Sequence, residues 1–231
     1  MFLMIDGIDG SGKGTIVSCL GEALREAGKT IADLPAIMKQ GRFPEQKDWV
    51  DADVLITTEP TYTGVGAVLR AELLRDASYD PRTVAAAFSV DREMHYRRVV
   101  MPACAAKKCV ISERGVSSSL AYQVTAGLPE ADVLAFAGNA LAMEHAPDYL
   151  VLADIDAETA IARLAARSGK QDDSYFERAP FLRSLAARYK DPSYRALFEN
   201  CGTTIIDLST AGTVEETRER CKKILLPLIL S

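Results

Sequence analysis

The stretch Gly7-Ile8-Asp9-Gly10-Ser11-Gly12-Lys13-Gly14-Thr15 limits what this chain can fold into more than any other. It follows the apolar run Met1-Phe2-Leu3-Met4-Ile5 and leads into an amphipathic pattern from Ile16 to Ala27. Strand, glycine loop with lysine, then helix is the setting in which a loop can cradle phosphate. Glycines let successive backbone N–H groups turn inward, and the N-terminus of the following helix adds partial positive charge and unpaired donors. Lys13 supplies a mobile charge for the outer phosphates. Asp9, Gly10, Ser11, Gly12, Lys13, Gly14 and Thr15 are therefore expected to hold a phosphorylated donor. The usual pattern places Ser or Thr directly after the lysine; here Gly14 stands there and Thr15 comes one place later. An ordinary glycine-rich turn is the bland alternative, and the flanking strand and helix weigh against it.

The 231 residues carry a net charge of −5 with both signs intermixed, so no nucleic-acid-coating surface is expected and phosphate binding must be local. Cys19, Cys104, Cys109, Cys201 and Cys221 show no CxxC or other metal-like spacing, which reads as free thiols in a reducing compartment. The N-terminal apolar run stops at Asp6, too short for a signal peptide, and no stretch approaches the ~20 apolar residues of a membrane span. A soluble cytoplasmic protein is the expectation.

Short apolar runs at 1–5, 54–57, 109–112, 149–153 and 203–208 alternate with helical patterns. They predict an α/β fold with a five-stranded parallel sheet covered by helices on both faces. Helices are expected over 13–27, 65–75, 81–100 with a kink near Pro102, 116–125, 130–145, 157–167, 175–189, 192–200 and 214–226. Residues 29–52, with Pro35, Pro44 and the single Trp49, read as an insertion made of a short helix and a surface loop. Gly169–Asp173 is charged and glycine-bearing and reads as mobile. The whole chain, 1–231, is expected to be one domain. In parallel sheets of this kind ligands gather beyond the carboxyl ends of the strands, so the glycine loop, Glu59, Glu113-Arg114 and Asp154 should converge on one cleft.

The sequence has no guanine-reading Asn-Lys-x-Asp, and no Asp-x-x-Gly switch follows the glycine loop, which argues against a GTPase. Several further motifs together resemble the thymidylate kinases, the P-loop nucleoside monophosphate kinases that convert dTMP to dTDP. They are the loop Gly7 to Thr15, the pair Glu59-Pro60, the helix with Phe88 and Arg92, and Glu113-Arg114-Gly115 followed by Ser118-Ser119-Leu120-Ala121-Tyr122-Gln123. Ala146-Pro147-Asp148 and the stretch from Asp173 to Glu177 are also similar. The likeness covers most of the chain apart from about 29–52.

That resemblance implies an ATP- and Mg²⁺-dependent P-loop kinase fold, a mobile lid at about 163–173, and a homodimer. Phe88 would stack on the thymine ring. Arg92, four residues on and on the same helical face, would donate to a 4-oxo pyrimidine, because a guanidinium carries donors only. Arg114 would grip the acceptor phosphate with its planar fork. Glu113, where the family usually has Asp, would hold Mg²⁺ through water. Asp9 would contact the acceptor sugar or the metal surroundings, and Tyr122 would lie against the sugar. Ser118, Ser119 and Gln123 would be polar contacts to base and phosphate, with Glu59 in the same acceptor half. Arg70 stands either against the acceptor phosphate or as an exposed helix arginine. With Gly14 where one branch of the family has arginine, the catalytic charge falls to Arg163, Arg167 or Lys170, and Arg167 is the choice. The loop 210–214 would border adenine.

Core packing for Phe88, a surface ion pair with Asp91 or Glu93 for Arg92, and a structural salt bridge for Arg114 are the plain alternatives. Gly115 replaces an aromatic and is expected to leave more room near the nucleotide. Glu113-Arg114-Gly115 also approaches the Glu-Arg-Ser of deoxynucleoside kinases, which keeps that activity open. Gly14, and Thr58 where bacterial members have Arg, keep a non-catalytic nucleotide-binding role open. His95 and His145 lack a partner cluster in sequence and read as core or surface residues.

Overall fold

A computed structural model describes residues 1–75, 78–166 and 179–230. Its centre is β1 (Phe2–Asp6), every residue of which is buried. The strands β2 (Ile31–Asp33), β3 (Val54–Thr58), β4 (Cys109–Glu113), β5 (Tyr149–Asp154) and β6 (Thr204–Ser209) join it in the order β2-β3-β4-β1-β5-β6. All of the pairings are parallel. The sheet thus has six strands, not the five read from sequence. The added strand, β2, lies at the edge beside β3, paired Ile31 to Val54 and Asp33 to Ile56.

That strand also changes the reading of 29–52. Asp33 caps the helix α2 (Leu34–Met38) by accepting from the Ala36 N–H at 3.1 Å. Leu34, Met38 and Trp49 are almost fully buried and join the main core. The stretch holds an edge strand and the expected short helix, and its mostly exposed loop at 39–48 leads to Trp49, which is buried in the core.

Alternation along β1 divides the core. Leu3 and Ile5 face α1 (Lys13–Glu26) and the last helix, α12 (Val214–Leu230), packing with Ile16, Leu20, Leu24, Cys221 and Leu225. Phe2 and Met4 face the other layer with Val110, Leu150 and Leu152. A strand covered on both faces must be apolar throughout, which is why its signal is a run rather than an alternation.

The second layer holds α3 (Val65–Val68), α4 (Pro81–His95), α5 (Met101–Ala105), α6 (Val116–Thr125), α7 (Glu130–Ala135) and α8 (Ala137–Glu144). It is completed by α9 (Ala157–Ala165), α10 (Ala179–Lys190) and α11 (Pro192–Glu199). The helix expected over 65–75 becomes a single α turn followed by a wide π turn, Leu69–Leu73. Another π turn, Tyr96–Val100, precedes Pro102, where a missing N–H and the ring's bulk forbid regular continuation. The helix expected over 130–145 is split at Phe136, whose ψ of 132 is extended. The helix expected from 175 is described from Ala179 onward.

The chain runs from β1 outward to β2, back through β3 to β4, and then past β1 to β5. The reversal puts a crevice beyond the carboxyl ends of β1 and β4, where their exit loops part.

Candidate active site

The glycine loop fills one side of that crevice. Gly7, Gly10 and Gly12 have φ of 143, 80 and 90, a region costly for other residues. Space adds to the constraint at Gly10, where a Cβ would lie 2.5 Å from the Ala160 carbonyl oxygen. Lys13, the first residue of α1, turns back under the loop and donates from Nζ to the carbonyls of Ile8 at 2.8 Å and Gly7 at 3.0 Å. Burial and the nearby Arg114 charge push its ammonium down to about 8 from 10.5. The Ser11 hydroxyl is buried and has no partner among the described residues.

Arg114 faces this loop from the end of β4. Its backbone is left-handed, with φ of 66, and is held there by its N–H donating to the Ile5 carbonyl at 2.8 Å. The Ser112 hydroxyl donates to the Arg114 carbonyl at 2.7 Å. This places the side chain across the crevice rather than along the strand. Its guanidinium pairs with Asp9 and donates to the Tyr122 hydroxyl at 3.2 Å and the Ser118 hydroxyl at 3.3 Å. Tyr122 in turn donates to Asp9 at 3.0 Å. Burial works to raise the Asp9 carboxyl, but Arg114 and then Lys13 outweigh it and hold the group below its ordinary 3.8. Arg114 and Asp9 stay partly open to solvent, with side chains 20% and 22% exposed.

Behind this pair lies Asp6, the fully buried end of β1. It accepts from the Gly7 N–H at 2.8 Å, from Ser117, from Ser118 at 2.8 Å and from the Tyr189 hydroxyl at 3.0 Å. Arg114 lies 3.7 Å from the same carboxylate. Asp6 thus ties the loop, α6 and α10 together under Arg114. Sequence reading took it only as the end of an apolar run; a carboxylate one place before the first glycine was the available signal.

The residues expected on the acceptor side fall beyond Arg114. Glu59 follows β3 through a cis bond to Pro60, and its N–H donates to the Glu113 carbonyl at 3.0 Å. Its carboxylate is buried against Arg92 at 2.8 Å and His95 at 3.0 Å. Burial would raise that group, yet Arg92 and His95 hold it below 4.5. Arg92 is 1% exposed and also donates to Asn139 and to the Gly115 carbonyl at 3.0 Å. It is therefore not in the surface ion pair allowed for it; Glu93 pairs with Arg97, and Asp91 binds the Thr61 N–H and hydroxyl. Phe88, one turn earlier on α4, is half-buried and belongs to neither core cluster.

Arg70 is half-buried rather than exposed, donating to the carbonyls of Pro60 and Thr61 and stacking 4.0 Å over the Tyr62 ring. Ser119 and Gln123 are buried on α6, and among the described residues the Ser119 hydroxyl and the Gln123 carbonyl oxygen have no partner. Gly115 does not open space as expected. A Cβ there would meet Met4 Cε at 2.4 Å, so its missing side chain points into the core.

For a metal, the described residues hold no group of three or more His, Cys, Asp or Glu that could cage an ion. Mg²⁺ needs less, since it keeps water and takes one or two carboxylates plus phosphate oxygens. Glu113 fits that use: its half-exposed carboxylate lies 3.9 Å from where a Gly14 Cβ would be, at the start of α1. Arg163 binds the carbonyls of Thr210 at 2.9 Å and Gly212 at 3.1 Å, fixing the 210–214 loop beside the glycine loop. Asp154 is drawn to Lys190 at 3.0 Å. Arg167, Lys170 and the stretch from Asp173 to Glu177, and with them most of the expected lid, lie outside the described residues.

A parallel sheet flanked by helices, with a lysine-bearing glycine loop at its central strand facing an arginine on the neighbouring strand, defines an α/β protein built to hold phosphorylated ligands. Comparison with known proteins narrows the class. The family model described as thymidylate kinase matches residues 46–220, and the chain belongs to that family. It is 32% identical to a thymidylate kinase of Cereibacter sphaeroides over 99% of this chain and 95% of that one. A probable thymidylate kinase of Pyrobaculum calidifontis is 31% identical, with coverage of 82% and 80%. In fold it is similar to the crystal structure of thymidylate kinase from Ehrlichia chaffeensis, with a TM-score of 0.65, 20% identity, and coverage of 97% and 98%.

Proposed function

We propose that this chain is an ATP- and Mg²⁺-dependent P-loop kinase that transfers the γ-phosphoryl group of ATP to dTMP, giving dTDP and ADP. The single observation that carries the reading, beyond family membership, is the Arg114–Asp9–Tyr122 cluster set directly across from Lys13. A charged fork on one side of a crevice and a phosphate cradle on the other suit two phosphates meeting end to end.

In this reading a phosphate oxygen of dTMP attacks the γ-phosphorus as the bond to the ADP oxygen breaks, roughly in line. Such transfer depends chiefly on positioning and on neutralising charge spread over the equatorial oxygens. The loop amides from Gly10 to Thr15 and Lys13 hold the donor; Arg114 holds the acceptor phosphate, with Arg70 beside it. Tyr122 and Asp9 border the sugar. Phe88, Arg92, Ser118, Ser119 and Gln123 read the base. Mg²⁺, taken through water by Glu113, would neutralise donor phosphate charge. Arg167 is assigned the remaining transition-state charge, since Gly14 supplies none. No general base is required, because a phosphate monoester is already nucleophilic at neutral pH.

The five free cysteines suit a reducing cytoplasm. Among the described residues no helix is long and apolar enough to cross a membrane. Homodimerisation is carried from the family resemblance. ADP release measured with dTMP, dUMP, dCMP and thymidine as acceptors tests the proposal. Preference for dTMP supports it, and turnover of thymidine but not dTMP would make the chain a deoxynucleoside kinase.

A further inference from the structure

Arg92 is buried and held by partners from three separate elements. A guanidinium has five N–H donors. Nε donates to Glu59 at 2.8 Å, Nη1 to Asn139, and Nη2 to the Gly115 carbonyl at 3.0 Å. These partners come from the β3 exit, from α8 and from the β4–α6 turn. Among the described residues this leaves one donor on each Nη without a protein partner. The plane of the fork cannot turn without breaking several of these bonds.

Each partner is itself held. Asn139 is fully buried and donates to the Val133 carbonyl at 2.6 Å, which leaves its carbonyl oxygen for Arg92. It reaches Arg92 because Gly138 brings α8 against α4, where the Gly138 N–H donates to the Ser89 hydroxyl at 2.8 Å. Glu59 keeps Oε2 for Arg92 because Oε1 is taken by His95 Nδ1 at 3.0 Å. His95 is fully buried, and its Nε2 lies 2.7 Å from the Thr57 hydroxyl. An ionised carboxylate only accepts, so Nδ1 carries a proton toward Glu59, while Nε2 meets the Thr57 hydroxyl.

We infer that Glu59, His95 and Asn139 are positioning residues that set acceptor-base specificity by fixing which way the two free Arg92 donors point. Both Glu59 oxygens are engaged, one by Arg92 and one by His95, so it acts through Arg92 and not by touching the acceptor. Donors held rigidly match a base that presents a carbonyl and reject one that presents an amino group. A fork free to turn loses that discrimination while still carrying its charge. The inference rests on the proposed kinase reading.

The test compares His95→Leu, which removes the donor to Glu59, with His95→Asn, whose side-chain amide can replace Nδ1. For each full-length variant, kcat and KM are measured with dTMP, dCMP and ATP, alongside the melting temperature. For His95→Leu the expected result is a dTMP KM raised about tenfold, the scale of one charge-assisted hydrogen bond. The dTMP-over-dCMP ratio of kcat/KM should fall by a similar factor while the ATP KM stays unchanged. His95→Asn should recover most of both losses. If His95→Leu does not fold, Asn139→Ala carries the same expectation from the other side of the fork. An unchanged selectivity ratio in a folded variant, or equal losses for ATP and dTMP, would overturn the inference. Failure of the unmodified chain to use dTMP would instead overturn the functional reading.

Discussion

Lys13 is buried inside its own loop, and its ammonium titrates at about 8 instead of 10.5 because burial and Arg114 both oppose its charge. Two consequences of opposite sign follow. The charge must be present to meet the incoming donor, so kcat/KM for ATP should fall as pH rises through 8, reaching roughly a tenth of its plateau at pH 9. kcat should fall much less, because bound phosphates restore the proton. Stability should move the other way. Between about 8 and 10.5 the unfolded lysine keeps a proton that the folded one has lost, so stability rises with pH across that window. The difference of about 2.5 pKa units corresponds to ~3 kcal/mol. Lys13→Met has no titrating group there and serves as the reference. Urea unfolding of both proteins at pH 7.5 and pH 10 isolates the effect, since other titrating groups cancel in the comparison. Between these two pH values the wild-type chain should gain about 2.4 kcal/mol relative to Lys13→Met. A flat kcat/KM profile from pH 7 to 9.5, or equal stability changes in the two proteins, would refute the reasoning.

Arg114→Ala should lower kcat by about 10²- to 10³-fold, the effect of losing one preorganised donor, as read in steady-state ADP release. Near wild-type turnover would show that Arg114 is only structural. Gly138→Ala should cost about 3 kcal/mol and lower the melting temperature by roughly 6–12 °C, because its Cβ would fall 1.9 Å from the Ser89 carbonyl oxygen where α8 meets α4. Asp9→Asn should leave Arg114 with less opposing charge and depress turnover at every pH from 5 to 9, since the Asp9 carboxyl is held below its ordinary value and is ionised throughout.

The glycine loop was legible because its structure is local. Loop, strand and helix are contiguous, and the glycines at 7, 10 and 12 sit where positive φ is needed. β2 was not legible: it is three residues long, lies at the sheet edge, and has one fully buried position. Trp49 was misread because its burial depends on a sheet edge that sequence did not reveal. On the proposed acceptor side, Phe88, Arg92 and Arg114 could be picked out as candidates from the sequence, but not the residues that hold them. His95 reaches Glu59, Asn139 reaches Arg92 and Asp6 reaches Tyr189 across 36, 47 and 183 residues, separations that no periodicity reports. His95 alone left a trace, three residues after Arg92 on the same face of α4. Gly115 failed as a clue because the direction of an absent side chain is a property of the backbone, which here aims it at Met4.

The central claim is that a donor cradle at Lys13 and an acceptor fork at Arg114 meet in one crevice and pass a phosphoryl group between two phosphates. Incubation with ATP labelled at the γ-phosphorus, Mg²⁺ and either dTMP or thymidine, followed by chromatography of the products, tests this directly. The account predicts label in dTDP, matched mole for mole by ADP, with thymidine left unlabelled. Label appearing on thymidine, or ADP formed with dTMP without labelled dTDP, would contradict it.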